Sequence, residues 1–216
     1  MPILEFPNPK DSSPEGILAV GGDLHPDSLL LAYRQGIFPW PIEGIGLAWF
    51  SPDPRAILDF ANLHISRTLR KIRKKSQVEY SHDQAFSEVI FSCAKQPRQG
   101  QRGTWITSNL KRAYIEFHRL GFAHSVEVWK KDRLIGGIYG VAVDGVFSAE
   151  SMFHWEPNAS KLALLYLIEL LKKKGLTWMD IQMMTPHMKQ MGAKEISREA
   201  YFKKLKNTQE RRNNLF

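Results

Sequence analysis

In TWMDIQMM, residues 177–184, an aspartate and a glutamine sit two positions apart inside an apolar run. Side chains alternate along a strand, so Trp178, Asp180 and Gln182 fall on one face, with Met179, Ile181 and Met183 on the other. The apolar flanks make this a buried strand, and a buried aspartate is costly unless it is paired or hydrogen-bonded. A structural aspartate tied to a loop amide is the alternative to a functional one, and the functional reading is preferred. Glu150 poses the same problem within VFSAESMF (146–153), where alternation puts it on the face of Ser148 and Met152. The two strands bracket one helix, and such strands are often neighbours in a sheet. Asp180, Gln182 and Glu150 could therefore line one cleft with hydrogen-bonding groups.

Other chemistries leave no trace. The seven histidines show no metal-ligand spacing, there is no acidic calcium-loop order, and no metal is expected. GxxxxGK[ST], GxGxxG and GxSxG are all absent, so nothing points to nucleotide hydrolysis, a dinucleotide cofactor or a nucleophilic serine. The glycine pair in LIGGIYG (134–140) reads as a bulge before it reads as a place for a ligand to approach the backbone.

The elements that must carry these residues follow from periodicity. Residues 1–16 are rich in Pro and Ser and read as extended. A short helix follows, opened by Asp23 or His25-Pro26, with Leu29, Leu30 and Tyr33 as its apolar face and Gly36 as its end. FPWPIEGIGLAWFSPDPRAIL (38–58) holds two tryptophans, two phenylalanines and four prolines with neither a helical nor a strand period, and is expected to be irregular. LHISRTLRKIRKKS (63–76) is amphipathic and strongly cationic, with Leu63, Ile65, Leu69 and Ile72 apolar. Residues 84–95 and 108–120 read as helices, the second capped by Ser108 and ended by Gly121. SVEVW, LIGGIYGVAV and VFSAESMF read as three strands joined by hairpins at KKDR and Asp144-Gly145. A helix over 159–175 with Asn158 as cap, the strand of Asp180, and a last helix capped by Ser197 complete the chain. The grammar is α+β with a mostly antiparallel sheet, and a boundary near residue 60 separates a small N-terminal domain (1–62), which carries the aromatic and proline stretch, from a larger domain (63–216).

Composition sets the outer limits. With 216 residues, 43% apolar and 24% charged, the chain is an ordinary globular protein. No apolar run of about 18 residues is present, so no membrane span is expected. The single cysteine, Cys93, reads as a core residue, and with no signal-peptide pattern at the start a reducing cytoplasm is expected. The net charge of +8 favours acidic partners, nucleic acid first. It is concentrated at Arg67, Arg70, Lys71, Arg73, Lys74 and Lys75 and again from Lys203 to Arg212. Charge alone does not distinguish a nucleic-acid surface from a solvated helix face and tail.

Taken in order, GGDL (21–24), GIFPW (36–40), WFSPDPR (49–55), GTWIT (103–107), HSVEVW (124–129), ESMF (150–153), NASK (158–161) and DIQ (180–182) resemble the signature blocks of the bacterial leucyl/phenylalanyl-tRNA–protein transferases. Each block is weak alone; eight in sequence are specific. The resemblance implies an aminoacyltransferase that moves Leu or Phe, and less readily Met, from aminoacyl-tRNA to an N-terminal Lys or Arg of a protein, creating a destabilising N-terminus. It implies a GNAT-like C-terminal domain over 63–216, a monomer, and no cofactor. Where GNAT enzymes carry Q/R-x-x-G-x-G/A for coenzyme A, this chain has HWEPNAS (154–160). That argues against acetyl-CoA as donor, and so against the first rival, a GNAT-like N-acyltransferase with another donor, in the form that uses acetyl-CoA. The second rival, a non-enzymatic RNA-binding module, leaves Asp180 and Gln182 unexplained.

By motif matching, the resemblance implies that Gln182 accepts a hydrogen bond from the attacking amine, that Asp180 polarises or orients it, and that Glu150 lies near the ester-linked adenosine. Trp40 and Trp105 match positions that contact the terminal adenosine. Ile138, Leu164 and Leu167 match the apolar pocket for the transferred side chain. Trp49 and Phe50 are expected to pack a domain interface and Arg55 to anchor its loop. The basic residues 67–75 are expected to follow tRNA phosphates without reading sequence.

Overall fold

The computed structural model describes residues 1–97, 104–211 and 214–216. Gly103 of the GTWIT block and Arg212 of the C-terminal basic cluster lie outside them. The elements run β1 (Ile17–Val20), α1 (Pro26–Arg34), β2 (Phe38–Ile42), β3 (Gly46–Phe50), β4 (Arg55–Asp59), α2 (Arg67–Lys75), β5 (Glu79–His82), α3 (Phe86–Lys95), α4 (Ser108–Arg119), β6 (Ala123–Lys130), β7 (Arg133–Val143), β8 (Val146–His154), α5 (Ala159–Lys173), β9 (Trp178–Gln182), α6 (Pro186–Gln190), β10 (Lys194–Ile196) and α7 (Arg198–Gln209). Among the described residues the strands form a three-stranded sheet, β1-β3-β2, and a seven-stranded sheet, β10-β4-β9-β8-β7-β6-β5. Every pairing is antiparallel except β8 with β9. The α+β, mostly antiparallel expectation is met.

The aromatic-proline stretch departs from expectation: it is regular. Phe38–Ile42 pairs with Gly46–Phe50 as a hairpin. Proline has no N–H to give to a ladder, and Pro39 and Pro41 are tolerated because β2 is an outer strand of its sheet. The predicted hairpins of the larger sheet form. Lys131 (φ 47°) with Asp132 (φ 59°), and Asp144 (φ 48°) with Gly145 (φ 77°), supply the two left-handed turn residues that tight hairpins need. Ser197 caps α7, accepting from the Ala200 amide. The cap of α4 is Thr107 rather than Ser108, and Asn158 occupies the cap position of α5 in a left-handed conformation with no side-chain capping bond.

Two apolar layers sandwich the larger sheet. On one face α5 packs Leu162, Leu164, Leu165 and Ile168 with Val126, Ile138 and Met179. On the other, α3 and α4 join the N-terminal part in a second cluster that holds Leu29, Tyr33, Trp49, Phe86, Tyr114 and Tyr139. Trp49 is buried there, its indole N–H bonded to the Gly21 carbonyl at 3.0 Å. Cys93 is buried in the same cluster. Strand β4 lies in the larger sheet, between β10 and β9. No helix among the described residues is long and apolar enough to cross a membrane.

The glycine pair in β7 serves both bulge and close approach. Val128 pairs with Gly136 but Trp129 with Leu134, so the register slips here. The approaching group is α5: a Cβ at Gly136 would lie 2.5 Å from the Ala159 Cβ. Substituting Gly136→Ala should overpack this contact and lower stability by about 1–3 kcal/mol. A denaturant or thermal melt reads this, and a melt equal to the parent's would show that α5 does not need the glycine.

Candidate active site

Strand β9 lies between β4 and β8, and Asp180 is opposite Ile57 on one side and Ser148 on the other. Arg55 opens β4 and meets it. Both side chains are buried, 2% and 0% exposed, and the contact is bidentate: Nε donates to Oδ1 at 2.9 Å and Nη2 to Oδ2 at 2.6 Å. The Tyr201 hydroxyl of α7 donates to Oδ2 at 2.9 Å, and the Gln182 backbone N–H donates to Oδ1 at 2.9 Å. The guanidinium also lies over the rings of Phe38 (4.8 Å) and Tyr201 (4.5 Å). Burial alone would lower the Arg55 pKa, but the facing Asp180 more than reverses this. Burial raises the Tyr201 pKa, keeping its proton available to Asp180. A carboxylate with its lone pairs so committed is a rigid support.

What Asp180 supports is Gln182. The ladder slips between Ala56–Gln182 and Ile57–Asp180, leaving Ile181 as the extra residue, and Gln182 has a left-handed φ of 57°. The Gln182 side-chain Nε2 donates to Glu150 Oε1 at 2.8 Å, which leaves its carbonyl oxygen as the acceptor it offers the cleft. Glu150 is itself a slipped residue, because Tyr139 pairs with Ser151 and Gly140 with Ala149. Simple alternation with Ser148 and Met152 therefore fails at this position, and the bulge turns the carboxylate toward Gln182. Tyr33 donates to Oε1 at 2.8 Å and Tyr114 to Oε2 at 3.2 Å, with the two hydroxyls 2.6 Å apart. Burial pushes the Glu150 pKa up to about 7, with the Tyr33 bond opposing and the Asp180 charge assisting. Burial, then the Glu150 charge, raises both tyrosines well above their ordinary value, so they stay donors.

Glu150 and Gln182 open into a cleft of ≈330 Å³. The rings of Trp40 and Trp105 form one wall, stacked on each other at 4.4 Å and 14°. Ile138, Met152, Leu164 and Met188 line the apolar part. Leu167 does not line it; this residue is buried in the core beneath α5. Asp180 is behind the cleft wall, where it touches Gln182. A larger depression of ≈720 Å³ beside Phe122, His124 and Phe216 contains none of the predicted site residues.

Helix α2 holds its charge outside. Ser66 caps it through the Leu69 amide, and Leu69 is buried. Arg67, Arg70, Lys71, Lys74 and Lys75 are exposed. Arg73 differs in reaching Glu169 of α5 at 2.5 Å, and that hydrogen bond raises its pKa.

Sequence reasoning missed Tyr33 and Tyr114 as partners of Glu150, Tyr201 and Ser148 beside Asp180, and His187 on the cleft wall. Tyr33 and Tyr201 stand on helical apolar faces, where nothing local marks a hydroxyl as engaged. Arg55 was legible only as a loop anchor.

Residues 57–206 match the family described as leucyl/phenylalanyl-tRNA protein transferase, and residues 22–53 match its N-terminal domain. The chain is 48% identical over 197 residues to a leucyl/phenylalanyl-tRNA–protein transferase of Maridesulfovibrio salexigens, covering 91% of this chain and 82% of that one. It is 47% identical over 205 residues to the protein of that name from Pseudoalteromonas atlantica, covering 94% of this chain and 87% of that one. With both family segments matched in order and this identity across nearly the whole chain, it belongs to the leucyl/phenylalanyl-tRNA protein transferase family.

Proposed function

We propose that the protein transfers Leu or Phe, and less readily Met, from aminoacyl-tRNA to proteins that begin with Lys or Arg, acting as a cytoplasmic monomer without a cofactor. The observation that carries this reading is one cleft with an aromatic wall, an apolar end and a part-buried carboxyl–amide pair. The terminal adenosine stacks on the Trp40–Trp105 wall, where an aromatic contact is worth about 1–3 kcal/mol per base. The transferred side chain fills the apolar part at Ile138 and Leu164. A methylene there is worth only about 1–3 kcal/mol, which fits mixed Leu, Phe and Met use.

The aminoacyl ester is already activated, so no ATP is needed. The acceptor amine attacks the ester carbonyl, guided by a hydrogen bond to the Gln182 carbonyl oxygen. Glu150 takes a proton from the amine nitrogen as the C–N bond forms. The C–O bond to the ribose then breaks and the leaving oxygen takes up a proton. Asp180 acts through Gln182 and is a positioning residue. Arg67, Arg70, Lys71, Lys74 and Lys75 follow the phosphates of the tRNA, with Arg73 bracing α2 on Glu169.

The direct test is transfer of labelled Leu from leucyl-tRNA to a peptide beginning with Arg, beside one beginning with Ala. Label on the Arg peptide alone supports the reading; no label on either, with tRNA bound, overturns it. Glu150→Gln should lower kcat by about 10²–10⁴ and remove the rise in kcat through about pH 7, because the ionised form is the one that accepts the proton. An unchanged profile would remove Glu150 from proton transfer. Arg70→Ala and Lys74→Ala should weaken binding of all isoacceptors alike and flatten the slope of log K against log salt by about 0.9 per lost phosphate contact. A selective loss for one isoacceptor would place α2 on bases instead.

A further inference from the structure

One basic side chain lines the cleft that the reading above leaves without a role, and two more act electrostatically on it. His187 of α6 lines it, and its Nε2 is buried with no hydrogen-bond partner among the described residues. Lys161 stands one turn before Leu164 on α5, hence on the same helical face, and Leu164 lines the cleft. His154 lies two residues beyond Met152 at the end of β8, on the same strand face, and Met152 lines the cleft. Both lie close enough to His187 for their charges to act on its ring.

The carboxylate that shares this cleft, Glu150, is engaged by Gln182, Tyr33 and Tyr114. The carboxylate of Glu156, in the loop between β8 and α5, is already held by Lys130 at 2.8 Å and Arg133 at 2.6 Å. Burial, then the charges of Lys161 and His154, lower the pKa of His187 and favour the neutral ring, in which one nitrogen carries an N–H. In the tautomer protonated at Nε2 this nitrogen is a donor, and a buried donor takes a partner. The partner favoured beside these groups is an anion with several acceptor oxygens. The acceptor protein's cationic first residue would be repelled here. The RNA donor, by contrast, carries a phosphodiester on the 5′ oxygen of the adenosine that bears the amino acid.

We propose that Lys161, His154 and His187 form a subsite for this phosphodiester, between the terminal adenosine and the nucleotide before it. The subsite rests on the transferase reading, with the adenosine on Trp40 and Trp105. It gives the cleft a way to tell an RNA end from a free nucleoside ester.

The test compares two small donors in transfer to an Arg-leading peptide: the phenylalanyl ester of adenosine and that of cytidylyl-(3′→5′)-adenosine. The parent protein should show a KM about tenfold lower for the dinucleotide donor, the size of one or two charge-assisted hydrogen bonds. Lys161→Ala and His187→Gln should bring the ratio of the two KM values toward one, with kcat on the dinucleotide donor largely kept. Turnover of the adenosine donor doubles as the control for folding. A parent ratio near one, or variants that raise both KM values and keep their ratio, would overturn the subsite. Transfer from aminoacyl-tRNA in the same assay separates the two claims, since its absence in the parent overturns the transferase reading itself.

Discussion

A carboxylate placed in the middle of a sheet, with no exposed surface, needs a cation and donors on every side. Asp180 has Arg55 across β4, Tyr201 from α7 and the Gln182 amide from its own strand. Removing one partner of such a buried pair costs about 3–5 kcal/mol, because the other charge is stranded. The pair therefore binds distant parts of the chain to one point. Through the guanidinium it holds Phe38 of the smaller sheet, and through Tyr201 it holds the C-terminal helix. Gly36 completes the joint, since a Cβ there would lie 2.6 Å from the Tyr201 ring and its φ is +70°. The cleft wall at Gln182 is stiff because everything behind it is.

In front of that support, two strand slips aim two side chains at each other. Neither Gln182 nor Glu150 would be so placed by a regular ladder. Their meeting has a thermodynamic cost with a definite sign. Glu150 is raised from 4.5 in the free group to about 7 in the folded protein. Folding is therefore favoured by the protonated form, and the contribution is present below about pH 4.5 and lost as pH rises through 7. Holding the ionised carboxylate in the fold costs on the order of 3 kcal/mol. Tyr33 and Tyr114 limit the cost by donating to both oxygens. A group half-ionised at neutral pH is suited to accept a proton and return it.

What the sequence made legible was local. Alternation in WMDIQ, the Asp144-Gly145 turn, the Ser197 cap and the cationic helix each need only a few neighbouring residues. What it concealed depends on distant ones. Arg55 and Asp180 are 125 positions apart, and Tyr33 and Glu150 are 117 apart. The bulge at Glu150 has no residue signature, so strand counting placed the carboxylate with the right neighbours for the wrong reason. The aromatic-proline hairpin was concealed because proline argues against a strand except at an edge, and edge position is a property of the sheet. Leu167 was assigned to the pocket through its motif, whereas the cleft is lined by Leu164 one turn earlier and Leu167 packs into the core. The family blocks carried further than any of these single readings, because each block records a contact made elsewhere in the fold.

In the proposed reaction Asp180 is a support and Glu150 the proton acceptor. The most direct measurement is the pH dependence of kcat for Asp180→Asn, followed by single-turnover transfer on folded protein. Asp180 is one of the charges that raise Glu150, and Arg55 would then face Glu150 without its partner. The rise in kcat should therefore survive at reduced amplitude and move to lower pH. If the rise instead disappears, Asp180 is the group that takes the proton and the assignment is wrong.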